Sequence, residues 1–112
     1  MKLQQLWVKV EESTTLYLHA FSETGLNEVQ AQCRIDPEGY ILSLWVRPDR
    51  RGQGIGSQLL EQACRVLKEQ GKQTVGLSVH DQNAGAQRLY KRLGFLPYMP
   101  GHENYTQYVK VL

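Results

Sequence analysis

The chain is short of the features that mark several large protein classes. No apolar run approaches the roughly 18 residues that a membrane-spanning helix requires, and the first residues do not form a signal-peptide pattern. The 112 residues include two cysteines, Cys33 and Cys64, with no CxxC pair and no histidine at metal-site spacing. We therefore expect a cytoplasmic protein with reduced core thiols, no membrane association and no bound metal.

An excess of charge of one sign is also missing. Thirteen Lys and Arg residues nearly balance eleven Asp and Glu residues, which leaves a net charge of +2. The basic residues cluster only at Arg47, Arg50 and Arg51, without the interleaved aromatic residues typical of nucleic-acid-binding surfaces. This cluster suits one small anion, so we expect no nucleic-acid partner. The length and the 41% hydrophobic content predict one domain over residues 1–112.

Hydrophobic periodicity predicts both strands and helices. Alternation of apolar and polar residues is typical of strands at 3–10, 15–21, 28–35 and 73–80, and amphipathic stripes are typical of helices at 57–70 and 83–93. Gly71 and Gly94 are expected to end these helices. Gly56 or Ser57 is expected to cap the start of the first.

The segment 40–46 is apolar on both faces, so we expect a central strand that is covered on both sides. The turn-forming residues Asp36 to Gly39 precede it. A helix connects it to strand 73–80, and we expect the two strands to be parallel because such crossovers are right-handed. The residues from Phe95 to Leu112 are expected to form a hairpin-like ending.

A glycine-rich turn follows the central strand and leads into the first helix. Gly52, Gly54 and Gly56 alternate, so successive backbone N–H groups are free to converge on one anion. The helix adds its N-terminal dipole, and Arg50 and Arg51 add positive charge. The spacing is neither that of a P-loop nor that of the Gly-x-Gly-x-x-Gly dinucleotide motif. A plain turn before a helix is the alternative interpretation.

Two motifs resemble the Gcn5-related N-acetyltransferases (GNAT). Arg51, Gly54 and Gly56 match that family's pyrophosphate loop, in which Arg or Gln, two residues, Gly, one residue, and Gly or Ala follow one another. Later, Asn83 opens a helix, Tyr90 lies seven residues on, and the helix ends in Gly94-Phe95. Two motifs in the right order make the resemblance specific over residues 39–95.

The resemblance implies a fold and a cosubstrate. The expected fold class is α/β (α+β), with a mixed, mostly antiparallel sheet whose central parallel strand pair is splayed to hold coenzyme A, as in acyl-CoA N-acyltransferases. Acetyl-coenzyme A would be the cosubstrate, with the pantetheine arm paired to strand backbone and the pyrophosphate on the loop. The implied cofactor-binding residues are Leu44, Val46, Arg51, Gly52, Gln53, Gly54, Ile55, Gly56, Ser57, Asn83 and Tyr90. For Asn83, a plain helix cap is the alternative.

The resemblance also implies that Tyr90 is the general acid that protonates the departing thiolate. A phenol suits this role because its ordinary pKa of about 10 keeps it protonated at neutral pH, while a thiol has a pKa of about 8.5. The alternative is a core aromatic that packs beside Leu89 and Leu93.

The general base is less clear from the sequence. Many relatives carry a Glu or Asp in the central strand where this chain has Leu42 and Ser43. His80 has a suitable ordinary pKa at the end of strand 73–80 and is our candidate, although a histidine there is also typical of a surface or capping residue. Asp81 and Glu38 are further candidates.

The acceptor side also departs from the family. Relatives usually place two helices between their first two strands, where this chain has only Glu11 to Thr14. The site is then open, completed by a second subunit, or suited to a large acceptor such as a protein amine. Apolar residues on the early strands require burial, and we expect a homodimer to supply it; they are Trp7, Leu16, Leu18 and Phe21.

Two functions remain open from the sequence. The first is an N-acetyltransferase that moves acetyl from acetyl-coenzyme A to a primary amine of a small molecule or peptide by direct attack. The second is a non-catalytic module that senses acetyl-coenzyme A, which the missing carboxylate and missing helices favour. The presence of Tyr90 favours the enzyme. The identity of the amine acceptor is not encoded in any motif of the chain.

Overall fold

The computed structural model describes residues 2–10, 13–21 and 29–112, which contain two sheets and two α-helices. The elements are β1 (Lys2–Val10), β2 (Ser13–Phe21), β3 (Val29–Ile35), β4 (Ile41–Val46), α1 (Ile55–Glu69), β5 (Thr74–His80), α2 (Ala84–Arg92), β6 (Leu96–Pro100) and β7 (Tyr105–Val111). The first sheet has the order β1-β2-β3-β4 and the second the order β5-β7-β6, all neighbours antiparallel. Neither helix in these residues is long and apolar enough to cross a membrane.

The core lies between the first sheet and α1. Alternate side chains of β2 and β3 face the helix, and the stripe of α1 packs on them. Buried residues of this layer include Leu16, Leu18, Ala20, Ala31, Cys33, Ile35, Ile55, Leu59, Leu60, Ala63, Val66 and Leu67, and the same cluster continues into the second sheet with Val75, Leu77, Val79 and Tyr108, and with Phe95 just before β6. The predicted helices, the hairpin-like ending and these strand faces are confirmed, with ends shifted by one or two residues.

The two cysteines are free and buried. Burial, with a smaller contribution from the neighbouring Cys64, raises the pKa of the Cys33 thiol to about 12. Burial also raises the pKa of Cys64. Both side chains are therefore protonated thiols at neutral pH, as predicted for core residues, and neither is poised as a nucleophile.

The two sheets meet at one parallel bridge, between Tyr40 and Gly76. The Gly76 amide donates to the Gly39 carbonyl at 3.4 Å. The Tyr40 ring lies over Gly76, where an added Cβ would come within 3.2 Å of it, and its hydroxyl hydrogen-bonds to Ser78. The predicted parallel arrangement is confirmed. Within residues 29–112 the strands β4 and β5 share no further pairing, so they diverge from this point.

The expectation that β4 is covered on both faces is wrong. Leu42 and Trp45 are each 44% exposed, because β4 is the last strand of its sheet and α1 covers only one face. An apolar composition therefore does not mean burial here. On β3 the opposite case occurs: Gln30 alternates with Val29 and Ala31 as a solvent-facing residue of the predicted strand would, yet it is 1% exposed.

The dimer prediction loses part of its basis. Val10 pairs with Ser13, so the connection from β1 to β2 is shorter than the expected Glu11 to Thr14. Leu16 and Leu18 are not on an uncovered face, because both are at most 2% exposed in the chain's own core beneath α1. Phe21 is half-buried and contacts the ring of His19 edge-on. The side chain of Trp7 lies outside the described residues.

The position of Leu18 gives a stability prediction. We expect Leu18→Ala to lower the free energy of unfolding by about 2–5 kcal/mol, because it removes buried methyl groups and leaves a cavity. Urea denaturation should give the same loss at low and high protein concentration, since the cavity is within one chain. Leu42→Ala, at an exposed site, is the control. A loss that depends on concentration would instead place Leu18 at a subunit interface.

Candidate active site

The loop between β4 and α1 presents uncapped backbone amides. Gly54 is the N-cap of α1, with φ near +80°, and no side chain caps the helix. The prediction that Gly56 or Ser57 caps it is therefore wrong; both lie in the first turn. The first N–H groups of a helix have no partner within the helix. Those of α1 are thus available, with the helix dipole, to bind an anion.

The arginines of the loop are held by hydrogen bonds. Arg51 donates from Nε to the Val46 carbonyl at 3.0 Å, and Arg50 donates from Nε to Gln30 Oε1 at 3.1 Å. Both bonds leave the terminal nitrogens of the guanidinium for a ligand. Arg47 forms an exposed ion pair with Asp49 at 2.8 Å. The predicted basic cluster therefore divides, and Arg50 and Arg51 are the pair that faces the cavity described next.

A cavity of about 580 Å³ opens between this loop and α2. Most of the predicted cofactor-binding residues line it, namely Val46, Arg51, Gly52, Gly54, Ile55, Gly56 and Ser57. The predicted residues Leu44, Gln53, Asn83 and Tyr90 are not part of its described lining. The cavity is also lined by four residues that were not among the predicted cofactor-binding residues, namely Arg50, Gly85, Leu89 and Arg92. The α2 residues have no motif of their own, and only the packing of the helix brings them to the loop.

The free edge of β4 leads from the bridge to this cavity. The Arg47 amide donates to the Gln30 carbonyl on β3 at 2.8 Å. Main-chain groups of neighbouring residues in a strand point to opposite edges, so those of Val46 and Leu44 point away from β3. The bond from Arg51 to the Val46 carbonyl lies on this side. These are the two residues whose backbone was predicted to contact the pantetheine.

Asn83 and Tyr90 occupy α2. Asn83 accepts from the Ala86 amide at 3.0 Å, the ordinary bond of a helix N-cap. Tyr90 is half-buried, and its ring meets Phe95 edge-on with centroids 5.9 Å apart. Burial and, secondarily, the nearby Cys33 raise the pKa of Tyr90. Its hydroxyl is thus firmly protonated at neutral pH. Its neighbour Leu89 reaches the cavity wall.

The three candidate general bases lie in different parts of the fold. His80 ends β5, accepts from the Gln82 amide through Nδ1 at 3.1 Å, and packs its ring edge-on against Tyr105. A proton is therefore accepted at Nδ1 only if this bond breaks. Asp81 is exposed and accepts from the Thr106 hydroxyl at 2.6 Å. Glu38 lies in the turn before β4, at the opposite end of that strand from the loop. Leu42 and Ser43 carry no titratable group.

A second, shallower cavity of about 440 Å³ adjoins Asp81. Its walls come from β6 and β7, and they include Tyr98, Met99 and Tyr105, which are all more than 40% exposed. This surface was not predicted from the sequence, where residues 95–112 indicated only a hairpin. Tyr98 and Met99 between two prolines, with Tyr105 following, were the available signal.

Comparison with known proteins agrees with the motifs. Residues 10–95 match the family described as Acetyltransferase (GNAT) family. An uncharacterised N-acetyltransferase of Methanocaldococcus jannaschii is 46% identical over 55 residues, 49% of this chain and 24% of that protein. The thialysine N-epsilon-acetyltransferase of Bos taurus is 40% identical over 55 residues, 49% of this chain and 32% of that protein. The matched segment thus spans a quarter to a third of the length of these relatives.

A solved structure shares the fold. The PaiA N-acetyltransferase of Thermoplasma acidophilum, determined in complex with coenzyme A, has a TM-score of 0.78 and 23% identity, and the match covers 88% of this chain and 61% of that one. The two sheets that diverge from one parallel bridge, with a glycine loop at the helix start, define an acyl-CoA N-acyltransferase fold. The chain belongs to the GNAT acetyltransferase family.

The loop geometry predicts different effects at two glycines. Alanine at Gly54 would adopt a left-handed conformation that costs roughly 1–2 kcal/mol. Alanine at Gly56 would make an ordinary contact of 3.5 Å with Val46. We expect Gly54→Ala to lower the Tm and to reduce the rise in Tm caused by acetyl-coenzyme A, and Gly56→Ala to retain both.

Thermal denaturation with and without millimolar acetyl-coenzyme A measures these effects. A wild-type protein whose Tm does not rise would contradict the cofactor assignment. Equal losses in the two variants would contradict the loop conformation as their cause.

Proposed function

We propose that residues 1–112 form one domain that transfers the acetyl group of acetyl-coenzyme A to a primary amine of a small molecule or protein. One observation carries the proposal: the cavity of about 580 Å³ lies where the uncapped amides of α1, the guanidinium of Arg51 and the free edge of β4 meet. The amides of α1 and Arg51 match the diphosphate of coenzyme A, and the edge of β4 matches its amide-bearing pantetheine arm.

The residues of the cavity suit this ligand chemically. A diphosphate requires several convergent donors, which the first amides of α1 supply together with Arg51. The amides of the pantetheine arm require partners of the kind found at a sheet edge, which Leu44 and Val46 supply. The described lining contains no carboxylate that would repel phosphate. The ligand's own contribution to the reaction is a thioester carbonyl.

The chemical step needs two proton movements. The amine nitrogen attacks the thioester carbonyl carbon, the C–S bond breaks, the nitrogen loses a proton and the thiolate gains one. Tyr90 is the proposed donor of that second proton, because a phenol is protonated at neutral pH and the position matches the general acid implied by the family resemblance. The proposed acceptor of the first is His80 or Asp81, with Glu38 less favoured because it lies in the turn before β4, on the closed side of the bridge between Tyr40 and Gly76.

The second cavity is the proposed docking surface for the amine. An alkylamine is protonated in solution at neutral pH, and the Asp81 carboxylate attracts this ammonium, which releases one proton to solvent before the neutral nitrogen attacks. The exposed rings of Tyr98 and Tyr105 provide apolar and cation–π contacts for the carbon skeleton beside the amine. A homodimer that completes the acceptor side and a cytoplasmic location belong to the same proposal. The half-exposed Trp45 on the outer face of the first sheet supports the dimer.

A sensor of acetyl-coenzyme A is the second candidate. It is favoured by the absence of a titratable group at Leu42 and Ser43 and by the bond that engages His80 Nδ1. A screen of small amines and peptides for thiol release from acetyl-coenzyme A separates the two functions. Thiol release with any acceptor, above the rate of hydrolysis, supports the enzyme. Cofactor binding without release supports the sensor.

The role of Tyr90 gives the first functional prediction. We expect Tyr90→Phe to lower kcat about 10²- to 10⁴-fold, because a general acid acts mainly in the transition state, and to leave the Kd of acetyl-coenzyme A nearly unchanged. Tyr17→Phe, at a half-buried tyrosine on the other face of the first sheet, is the control. An undiminished rate in Tyr90→Phe would mean that the thiolate leaves without help from this residue.

The role of Asp81 gives the second functional prediction. Asp81→Asn keeps the shape and the acceptor oxygen for Thr106 but removes the charge. We expect the KM of a cationic amine to rise about tenfold, the usual effect of losing one charge-assisted contact, while the Kd of acetyl-coenzyme A does not change. Glu61→Gln on the exposed face of α1 is the control. Unchanged KM values would remove Asp81 from the acceptor site.

A further inference from the structure

The cavity beside the loop has cationic groups on two opposite walls. Arg50 and Arg51 belong to the loop, and Arg92 belongs to the last turn of α2. The diphosphate proposed above needs only the loop amides and Arg51. The positive charges of Arg50 and Arg92 are therefore not needed to bind the diphosphate. The inference below rests on the proposed binding of coenzyme A.

Arg50 is fixed in the wall by a buried residue. Gln30 is 1% exposed, its side-chain oxygen accepts from Arg50 Nε at 3.1 Å, and its carbonyl accepts from the Arg47 amide at 2.8 Å. A glutamine with both oxygens bonded to the loop anchors the loop on β3. The remaining N–H groups of Arg50 are left on the cavity side, where Arg50 forms part of the lining.

Arg92 lines the same cavity from the side of α2. It is exposed, and the other lining residues of this helix are Gly85 and Leu89, so Arg92 is the charged side chain that α2 contributes to the lining. Guanidinium groups on two sides of one cavity repel each other weakly when the cavity is empty and are both stabilised when an anion lies between them. A phosphate monoester, with a charge between about −1.5 and −2 at neutral pH and three acceptor oxygens, is such an anion.

Coenzyme A carries such a group on its ribose, in addition to the diphosphate. We propose that Arg50 and Arg92 form a second phosphate subsite that binds the ribose 3′-phosphate of coenzyme A, and that Gln30 is the positioning residue that holds Arg50 in it. The protein therefore distinguishes coenzyme A from dephospho-coenzyme A, which lacks only this phosphate.

Titration calorimetry with both ligands tests the subsite. We expect the wild type to bind coenzyme A about ten- to a hundredfold more tightly than dephospho-coenzyme A, and Arg92→Gln and Arg50→Gln each to bring this ratio towards one while dephospho-coenzyme A binds almost as before. Lys91→Gln and Arg47→Gln are the controls, since each removes a neighbouring positive charge outside the described lining.

Gln30 is tested through Arg50. Gln30→Met is expected to lower the ratio in the wild-type background and to have no effect on it in the Arg50→Gln background, whereas a merely structural role would weaken both ligands equally in either background. If Gln30→Met does not fold, the two arginine variants still decide the subsite. A wild-type ratio near one, or a ratio unchanged by both arginine variants, overturns the inference. Failure of both ligands to bind the wild type refutes the proposed function itself.

Discussion

The bridge between Tyr40 and Gly76 determines how the two sheets of this protein meet. Glycine suits position 76, because an added Cβ would make a tight contact of 3.2 Å with the Tyr40 ring, and the bond from Tyr40 to Ser78 fixes the ring there. From this point β4 and β5 diverge. The edge of β4 is thereby left unpaired towards β5, and the first turn of α1 opens at the far end of that edge.

The electrostatics of the site follow from where this edge ends. Helix α1 starts at Gly54 without a side-chain cap, so its amides and dipole remain available to an anion. The bonds of Arg50 and Arg51 fix the Nε end of each guanidinium and direct the rest outward. Less side-chain entropy is then lost on binding, which is the advantage of a preorganised site over flexible surface cations.

The sequence predicted the features that depend on local conformation. The strands and helices follow from residue type and spacing, and so does the start of α2 at Asn83, whereas the cap of α1 lies at Gly54 and not at the expected Gly56 or Ser57. Features that depend on packing between distant segments were not predictable. Gln30 alternates like a solvent-facing residue and is buried only because the loop folds back on it, and Arg92 reaches the cavity only because α2 docks there. Trp45 is apolar yet exposed, because no described helix covers that face of β4.

The order of the second sheet has a consequence for synthesis on the ribosome. Strand β7 lies between β5 and β6, and its end is held by a bond from the Leu112 amide to the Gln73 carbonyl at 2.9 Å. The first sheet is assembled from neighbours in sequence and is able to pair as it emerges. Strand β5 instead cannot pair until β7 has been translated, about 25 residues later. During elongation the nascent chain thus presents a finished sheet beside a lone apolar strand, a stage at which contact with a chaperone would have most effect.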